Sequence, residues 1–289
     1  MNILIIHNSK SGRKSSQSFI DELISKLAQN NKIHYCEVFD KESMKSATAK
    51  IQYYKLILIC GGDGTVSYYS NALKENDKPL LIIPTGSGND FANSLGAKKD
   101  CEKILETING FNISKASTLL INERERRLTI VCFGFEARVN RLANSMPRFL
   151  GGLKYTLATF IALFGKHYES LRIESESFQE SGEYSLAIIA NSPSFGGGLM
   201  ISNKATALND KLYLILVNRV NKIKLIYLFI LLLMRKHYSR KEFREFEVKK
   251  VQVDKTDGVM QAQADGESLP DGPITVKIES NSLKVLKFD

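Results

Sequence analysis

The sequence predicts an α/β protein of 289 residues, an N-terminal parallel α/β domain followed by an antiparallel β-sandwich domain with helical insertions. Three observations carry that expectation. Apolar strand-like runs alternate with helical spacings up to about residue 117. Two of those runs, 56–60 and 80–83, are apolar throughout, as strands buried on both faces of a parallel sheet are. Beyond residue 117 short strand-like runs follow one another, broken by Gly, Asn, Pro and Ser clusters.

The elements follow in order. Residues 3–7 form a first short strand, and Ile20, Leu23, Ile24, Leu27 and Ala28 recur at helical spacing. Residues 33–39 read as a second strand, and Met44, Ala47, Thr48 and Ile51 mark a second helix. The strand at 56–60 runs directly into Gly61-Gly62, with a helix over 66–73; the strand at 80–83 is ended by Pro84. Later strands are expected at 128–133, 171–173, 184–191, 212–217, 246–253, 259–264, 274–278 and 283–286, with helical insertions at 153–164 and 223–236. The expected domains are 1–117 and 118–281, with the tail 282–289 free to return to the first. A cleft between two such domains is a common ligand site.

Composition narrows the function. A hydrophobic share of 43% and a charged share of 25% are those of a soluble globular protein. The four cysteines, at 36, 60, 101 and 132, show no metal or redox spacing and read as buried thiols of a reducing, cytoplasmic compartment. Met1 leads straight into an apolar strand without a basic leader, which argues against a signal peptide. The net charge of +9 asks for an acidic partner. Nucleic acid is disfavoured, because the basic clusters (Lys10, Arg13 and Lys14; 222–250) carry no reading motif and no interleaved aromatics.

Two loops carry the chemistry. After the strand at 56–60 comes Gly61-Gly62-Asp63-Gly64-Thr65, then a helix. Glycines let backbone amides approach phosphate oxygens, and a helix N-terminus favours their charge. Asp63 would repel phosphate unless a divalent cation or a fixed donor intervenes, so it points to magnesium. The plainer alternative is a glycine turn with Asp as a helix cap. A second strand empties into Pro84-Thr85-Gly86-Ser87-Gly88-Asn89-Asp90, again before a helix, and two such loops at neighbouring strand ends would share one phosphate crevice. Near the end stands Ala264-Asp265-Gly266-Glu267. If extended, it points both acids to one side, suited to proton abstraction or metal support; a solvated surface turn is the competing reading.

Six motifs in one order resemble the diacylglycerol kinase catalytic-domain family, in particular its compact bacterial lipid kinases, which are similar to sphingosine kinases. They are Asn8-Ser9-Lys10-Ser11-Gly12, Gly61–Thr65, Pro84–Ala92, Gly134-Phe135-Glu136-Ala137, Asn191 with Gly196-Gly197-Gly198, and Asp265-Gly266-Glu267. The resemblance implies an N-terminal domain like those of NAD kinases and diacylglycerol kinases. It implies ATP held by Asn8, Gly12, Gly61, Gly62, Asp63, Gly64, Thr65, Val66, Ser87, Asn89 and Asp90. Asp265 or Glu267 would be the general base toward a lipid hydroxyl. A structural magnesium would sit at Asp210 with Ala207 and Leu212, while Asp63 and Asp90 would organise catalytic magnesium through water. Ser9 stands where the family has proline, and Asp40 where it often has a nucleotide-contacting threonine, which puts that contact in doubt.

Ten consecutive apolar residues, 225–234, lie between basic flanks and are too few to span a bilayer, for which ~20 are needed. They suit either a buried core helix or a helix resting on anionic headgroups. The expected activity is ATP- and magnesium-dependent phosphorylation of a lipid alcohol by a protein transiently bound to the membrane, with a homodimer as a further option. A kinase of NAD or another soluble metabolite is the first alternative, and a non-catalytic nucleotide or lipid sensor the second.

Overall fold

The computed structural model of the chain describes residues 1–11, 16–75, 77–147, 150, 157–158, 161–162, 167–258 and 260–288. The chain divides into two compact units, Met1–Ser117 with Asn281–Asp289, and Thr118–Ser280.

The first unit contains β1 (Asn2–Asn8), α1 (Ser16–Ala28), β2 (Lys32–Val38), α2 (Lys41–Lys50), β3 (Leu56–Gly61), α3 (Asp63–Ala72), β4 (Leu80–Pro84), α4 (Asp90–Ser94), α5 (Cys101–Gly110) and the start of β5 (Ile113–Ile121). The late part of β17 (Ile274–Leu286) belongs to it as well. Its sheet runs β2-β1-β3-β4-β17, every one of those pairs is parallel, and β5 pairs with β17. β3 lies between two partners, and Leu56 through Cys60 are wholly buried, which is why that run carries no polar residue. Each such Leu or Ile contributes roughly 1.5–3 kcal/mol by leaving water. α1 buries Ile20, Leu23 and Leu27, the stripe that the spacing marks. Asp40 is the N-cap of α2: its side chain accepts from the Ser43 amide, and Ser43 answers to the Asp40 amide. The local capping box accounts for an acid at 40.

The second unit holds the rest of β5 and β17, together with β6 (Glu125–Arg127), β7 (Ile130–Phe133), α6 (Phe135–Ser145), β8 (Glu169–Ser175), β9 (Gln179–Ala190), β10 (Ser194–Phe195), β11 (Leu199–Met200) and β12 (Leu212–Asn218). α7 (Lys222–Leu233), β13 (Arg244–Val248), β14 (Lys250–Lys255), β15 (Ala262–Ala264) and β16 (Glu267–Ser268) complete it. Pairing here is antiparallel. The 12-residue β9 pairs with β8 through its first half and with β7 through its second, while β12 pairs along its other edge. Strands β7 and β12 and the second half of β9 are apolar on both faces. Val131, Phe133, Ala187, Ile189, Leu212, Leu214 and Leu216 enter the inner core. Ile130, Cys132, Ile188, Ala190, Tyr213 and Ile215 enter an outer cluster that Leu232 of α7 covers.

Several sequence-based expectations need correction. The run 246–253 is two strands, β13 and β14, turning at Lys249. The runs 274–278 and 283–286 are one 13-residue strand, because the polar stretch between them keeps its partners: Asn281 N donates to Ser117 Oγ. Helices α5 and α6 were not anticipated. The insertion at 153–164 lies mostly outside the described residues, with 157–158 and 161–162 helical. His237, at the C-terminal side of α7, is buried, with Nε2 3.1 Å from the Ile201 carbonyl and its ring against Tyr238 and Phe243. The four cysteines are free and buried.

Candidate active site

The glycine loop closes β3 and opens α3, with Gly62 as N-cap in extended backbone and no side chain capping that helix end. The amides of Thr65 and Val66 both return to the Gly62 carbonyl, at 2.9 and 3.1 Å. Asn8, at the end of β1, donates through Nδ2 to Thr65 Oγ1 at 2.8 Å and receives the Lys10 amide on Oδ1 at 3.0 Å. This pins the first loop to α3. Val66 is buried and Gly64 is exposed. Gly12 lies outside the described residues.

The second loop touches the first, backbone against backbone. The Thr85 amide donates to the Gly61 carbonyl at 3.2 Å. A Cβ placed on Gly86 would stand 2.3 Å from the Gly62 Cα, so the second loop tolerates no side chain at that crossing, and one on Gly62 would be tight at 3.2 Å from the Gly86 Cα. Asn89, in left-handed backbone (φ 57°), holds the turn: its Oδ1 accepts from the Gly86 amide and its Nδ2 donates to the Gly86 carbonyl. Ser87 projects at the exposed tip. Gly64 differs from these glycines. It sits in the first turn of α3, its φ is not positive, and a Cβ there would meet nothing within 4 Å. The fold gives no internal reason for glycine at 64; the open space in front of it is what a bulky anion at the helix end requires.

Asp63 directs its carboxylate at the backbone of α4. Oδ2 accepts from the Asp90 amide at 3.0 Å and Oδ1 from the Phe91 amide at 3.1 Å. Of the two ways to accommodate an acid in this loop, a cation or a fixed donor, fixed donors are present. The carboxylate caps a helix that Asn89, its N-cap, does not cap with a side-chain hydrogen bond. Asp90 itself is buried at the start of α4.

In the second unit the acid pair is a hairpin turn, not an extended segment. Ala264 pairs with Glu267 across β15 and β16, and Asp265 and Gly266 between them both have positive φ (49° and 83°), the signature of a two-residue type I′ turn. The acids therefore differ in surroundings. The Asp265 carboxylate accepts from the amides of Leu128 (2.6 Å), Thr129 (2.9 Å) and Ile130 (3.3 Å), and from the Thr129 hydroxyl. Glu267 keeps its side chain 66% exposed, and Arg127 Nη1 reaches its Oε2 at 2.7 Å.

Support extends one layer further. Buried Asn191 donates to the Leu128 carbonyl at 2.7 Å and its amide to the Thr129 carbonyl at 2.8 Å, fixing the amides that hold Asp265. Asn144 of α6 donates to the Gly266 carbonyl. Arg127 is nearly buried and also meets Glu125 at 2.7 Å. Burial pulls its pKa down, and the Glu267 and Glu125 carboxylates more than offset that and raise it. Sequence reasoning missed Arg127: in Glu125-Arg126-Arg127 it reads as one more surface charge, and only strand pairing with β5 turns it inward.

Asp210 lies in the loop before β12, its side chain 54% exposed and 3.5 Å from Lys249 Nζ, while Ala207 and Leu212 on either side are buried. Among the described residues no three His, Cys, Asp or Glu side chains gather as a metal cluster. A magnesium site built from one carboxylate, carbonyls and waters needs no such cluster. The half-exposed Asp210 carboxylate, 3.5 Å from Lys249 and near Lys211, fits a hard cation of that kind.

Residues 2–121 match the family model of the diacylglycerol kinase catalytic domain, and residues 129–287 match that of the YegS C-terminal NAD kinase beta sandwich-like domain. A diacylglycerol kinase of Mycobacterium tuberculosis is 27% identical over 237 residues, covering 80% of this chain and 76% of that protein. One of Bacillus subtilis is 25% identical over 281 residues, covering 91% and 88%. A diacylglycerol kinase crystal structure from Bacillus anthracis str. Sterne shares the fold with a TM-score of 0.74 at 16% identity, over 99% of this chain and 96% of that one. A second structure from the same strain reaches 0.82 at 19%, over 99% and 97%.

Proposed function

The chain belongs to the YegS and diacylglycerol kinase family, and from that premise we propose that it is an ATP-dependent lipid kinase with Glu267 as general base. The observation that carries the assignment of the base is the asymmetry of the Asp265–Gly266–Glu267 turn. Asp265 is saturated by backbone donors and Glu267 presents an exposed carboxylate. The Asp265 oxygens are taken up by these donors, which leaves Glu267 as the carboxylate of the turn open to a substrate hydroxyl. Glu267 takes the proton of the lipid hydroxyl as that oxygen attacks the γ-phosphorus of ATP; the bond to the bridging oxygen breaks and ADP leaves with the electron pair. Arg127 orients Glu267, and Asp265 holds the turn that presents it.

The donor's phosphates belong at the amino end of α3, where Gly64 leaves room and the N-cap Gly62 offers no side-chain cap. Asn8 and Thr65 brace that end, and Ser87, Asn89 and Asp90 shape the neighbouring turn. Asp63 acts there as the link between α3 and α4 rather than as a metal ligand. Magnesium, held at Asp210 with the carbonyls of Ala207 and Leu212, would supply positive charge and order the loop before β12.

A kinase of NAD or another soluble metabolite is the second reading, favoured by the NAD kinase likeness in the description of the C-terminal family model. One experiment separates them. The purified chain is incubated with γ-labelled ATP, a total lipid extract and, separately, NAD. Label in an organic-phase lipid that vanishes with Glu267→Gln supports the proposal; label confined to a soluble product overturns it.

A further inference from the structure

Helix α7 is apolar on both faces. Leu225, Leu228, Leu231 and Leu232 are buried. Ile223, Tyr227, Ile230 and Met234, spaced by four, three and four residues, share the opposite face and are exposed, Ile223 to 82% and Met234 to 54%. Leu233 flanks them. A stripe of this kind on a solvent face is costly unless something covers it. The adjoining helical segment extends it: Ala162 packs with Leu225, while Leu157 and Ile161 beside it are exposed.

The charge around the stripe names the occupant. Between residues 220 and 241 there are six basic residues, Lys222, Lys224, Arg235, Lys236, Arg240 and Lys241, and no acid. Lys224 is neutralised by Glu242 at 2.9 Å; Arg235 and Lys236 are exposed, and the Arg240 guanidinium stands 5.8 Å above the ring of Tyr227. Twelve residues rise ~18 Å, too short for a ~30 Å hydrocarbon core, so α7 lies along a surface and does not cross it. A second copy of the chain is a poor occupant, because a two-fold interface would set this cationic rim against itself.

We infer that the outer face of α7 is a docking surface for an anionic bilayer, with Ile223, Tyr227, Ile230 and Met234 entering the acyl boundary and Arg235, Lys236, Arg240 and Lys241 meeting lipid phosphates. The docking stands on the exposed helix alone; delivery of substrate through it rests on the kinase reading above.

The test is cosedimentation of the full chain, without nucleotide, with vesicles of phosphatidylcholine alone or containing 30 mol% phosphatidylglycerol. Partitioning at least tenfold stronger onto the anionic vesicles is expected, falling with added salt. Ile223→Ser/Ile230→Ser and Arg235→Gln/Lys236→Gln should each weaken it tenfold or more while keeping the wild-type melting temperature and the rate on a monomeric short-chain lipid. Equal binding to both vesicles, no binding, or wild-type binding by the folded Ile223→Ser/Ile230→Ser variant overturns the inference. So does a dimer in solution that this variant dissolves. Absence of any rate on monomeric lipid, with vesicle binding intact, strikes the kinase reading and leaves the docking surface standing.

Discussion

Replacing Gly64 by alanine separates ligand space from fold more cleanly than any other single change. The residue is in the first turn of α3 with a φ that alanine also adopts, and beyond its own turn of helix the added methyl meets nothing within 4 Å. Alanine loses less backbone freedom on folding, so the variant should gain about 0.4–1 kcal/mol. That raises the melting temperature of the first unit by roughly 1–5 °C. The methyl occupies the space a phosphate needs to reach the helix amides. A charge-assisted hydrogen bond is worth about 1.5–3 kcal/mol, so losing one weakens ATP about 10- to 150-fold. Calorimetric titration of ATP and the dependence of rate on ATP read the second effect; a thermal melt reads the first. Gly86→Ala is the control, since its Cβ would strike the Gly62 backbone at 2.3 Å and must lower stability. A Gly64→Ala variant with unchanged ATP affinity and rate, or one that melts lower than wild type, would refute the reasoning.

Glu267→Gln should cut turnover by at least a hundredfold with the melting temperature unchanged, because its ion pair with Arg127 is largely solvent-exposed on the Glu267 side. Asp265→Asn is expected to behave oppositely in the melt: an amide cannot accept from every donor the carboxylate serves, and a loss of about 1.5–3 kcal/mol follows. Asp63→Ala should expose the first amides of α4 and lower stability by about 0.5–2 kcal/mol, read by urea titration. His7 and His237 are buried, and desolvation holds both pKa values below the usual 6.5 against the pull of neighbouring carboxylates. The unfolded chain therefore binds more protons. The stability they contribute is present above about pH 6.5 and is lost as pH falls toward the folded values, at up to ~1.4 kcal/mol per pH unit for each histidine. Melting temperatures from pH 8 to pH 5 should fall most steeply below pH 6.5, and less steeply in His237→Phe.

The centre of the first unit's sheet is readable because β3 and β4 are unbroken apolar runs closed by Gly61 and Pro84, patterns set locally. The resemblance across six motifs anticipated both halves of the proposed chemistry. What escaped depended on pairing or on turn chemistry. Asp265-Gly266 is among the strongest hairpin signals a sequence offers; of the extended and turn readings the turn forms, and only it explains why the two acids differ. Asp100, whose side chain accepts the Lys103 amide, followed by Cys101, Ile104 and Ile108 at helical spacing, is a start signal for α5 that the sequence does carry. Arg127 is beyond reach of the sequence, polar by composition and buried by its place in the fold; Asn191 stands among the six motifs, but its hold on the Leu128 and Thr129 carbonyls is not legible there. For α7 the core reading holds on the face of Leu225, Leu228, Leu231 and Leu232, and the headgroup reading stays a proposal for the exposed face.

β17 has a consequence for how the protein is made. The strand that borders β4 in the first unit is supplied by residues 281–286, about 160 residues after the unit's other strands and the start of β5 have been synthesised. At 5–20 residues per second a ribosome needs roughly 8–30 s for that interval. For that time β4 waits with an open edge, exposed to pairing with neighbouring nascent chains. A fragment cut at residue 117 would keep that edge open permanently, and the first unit is better isolated by a short linker joining residue 117 to residue 281 than by truncation.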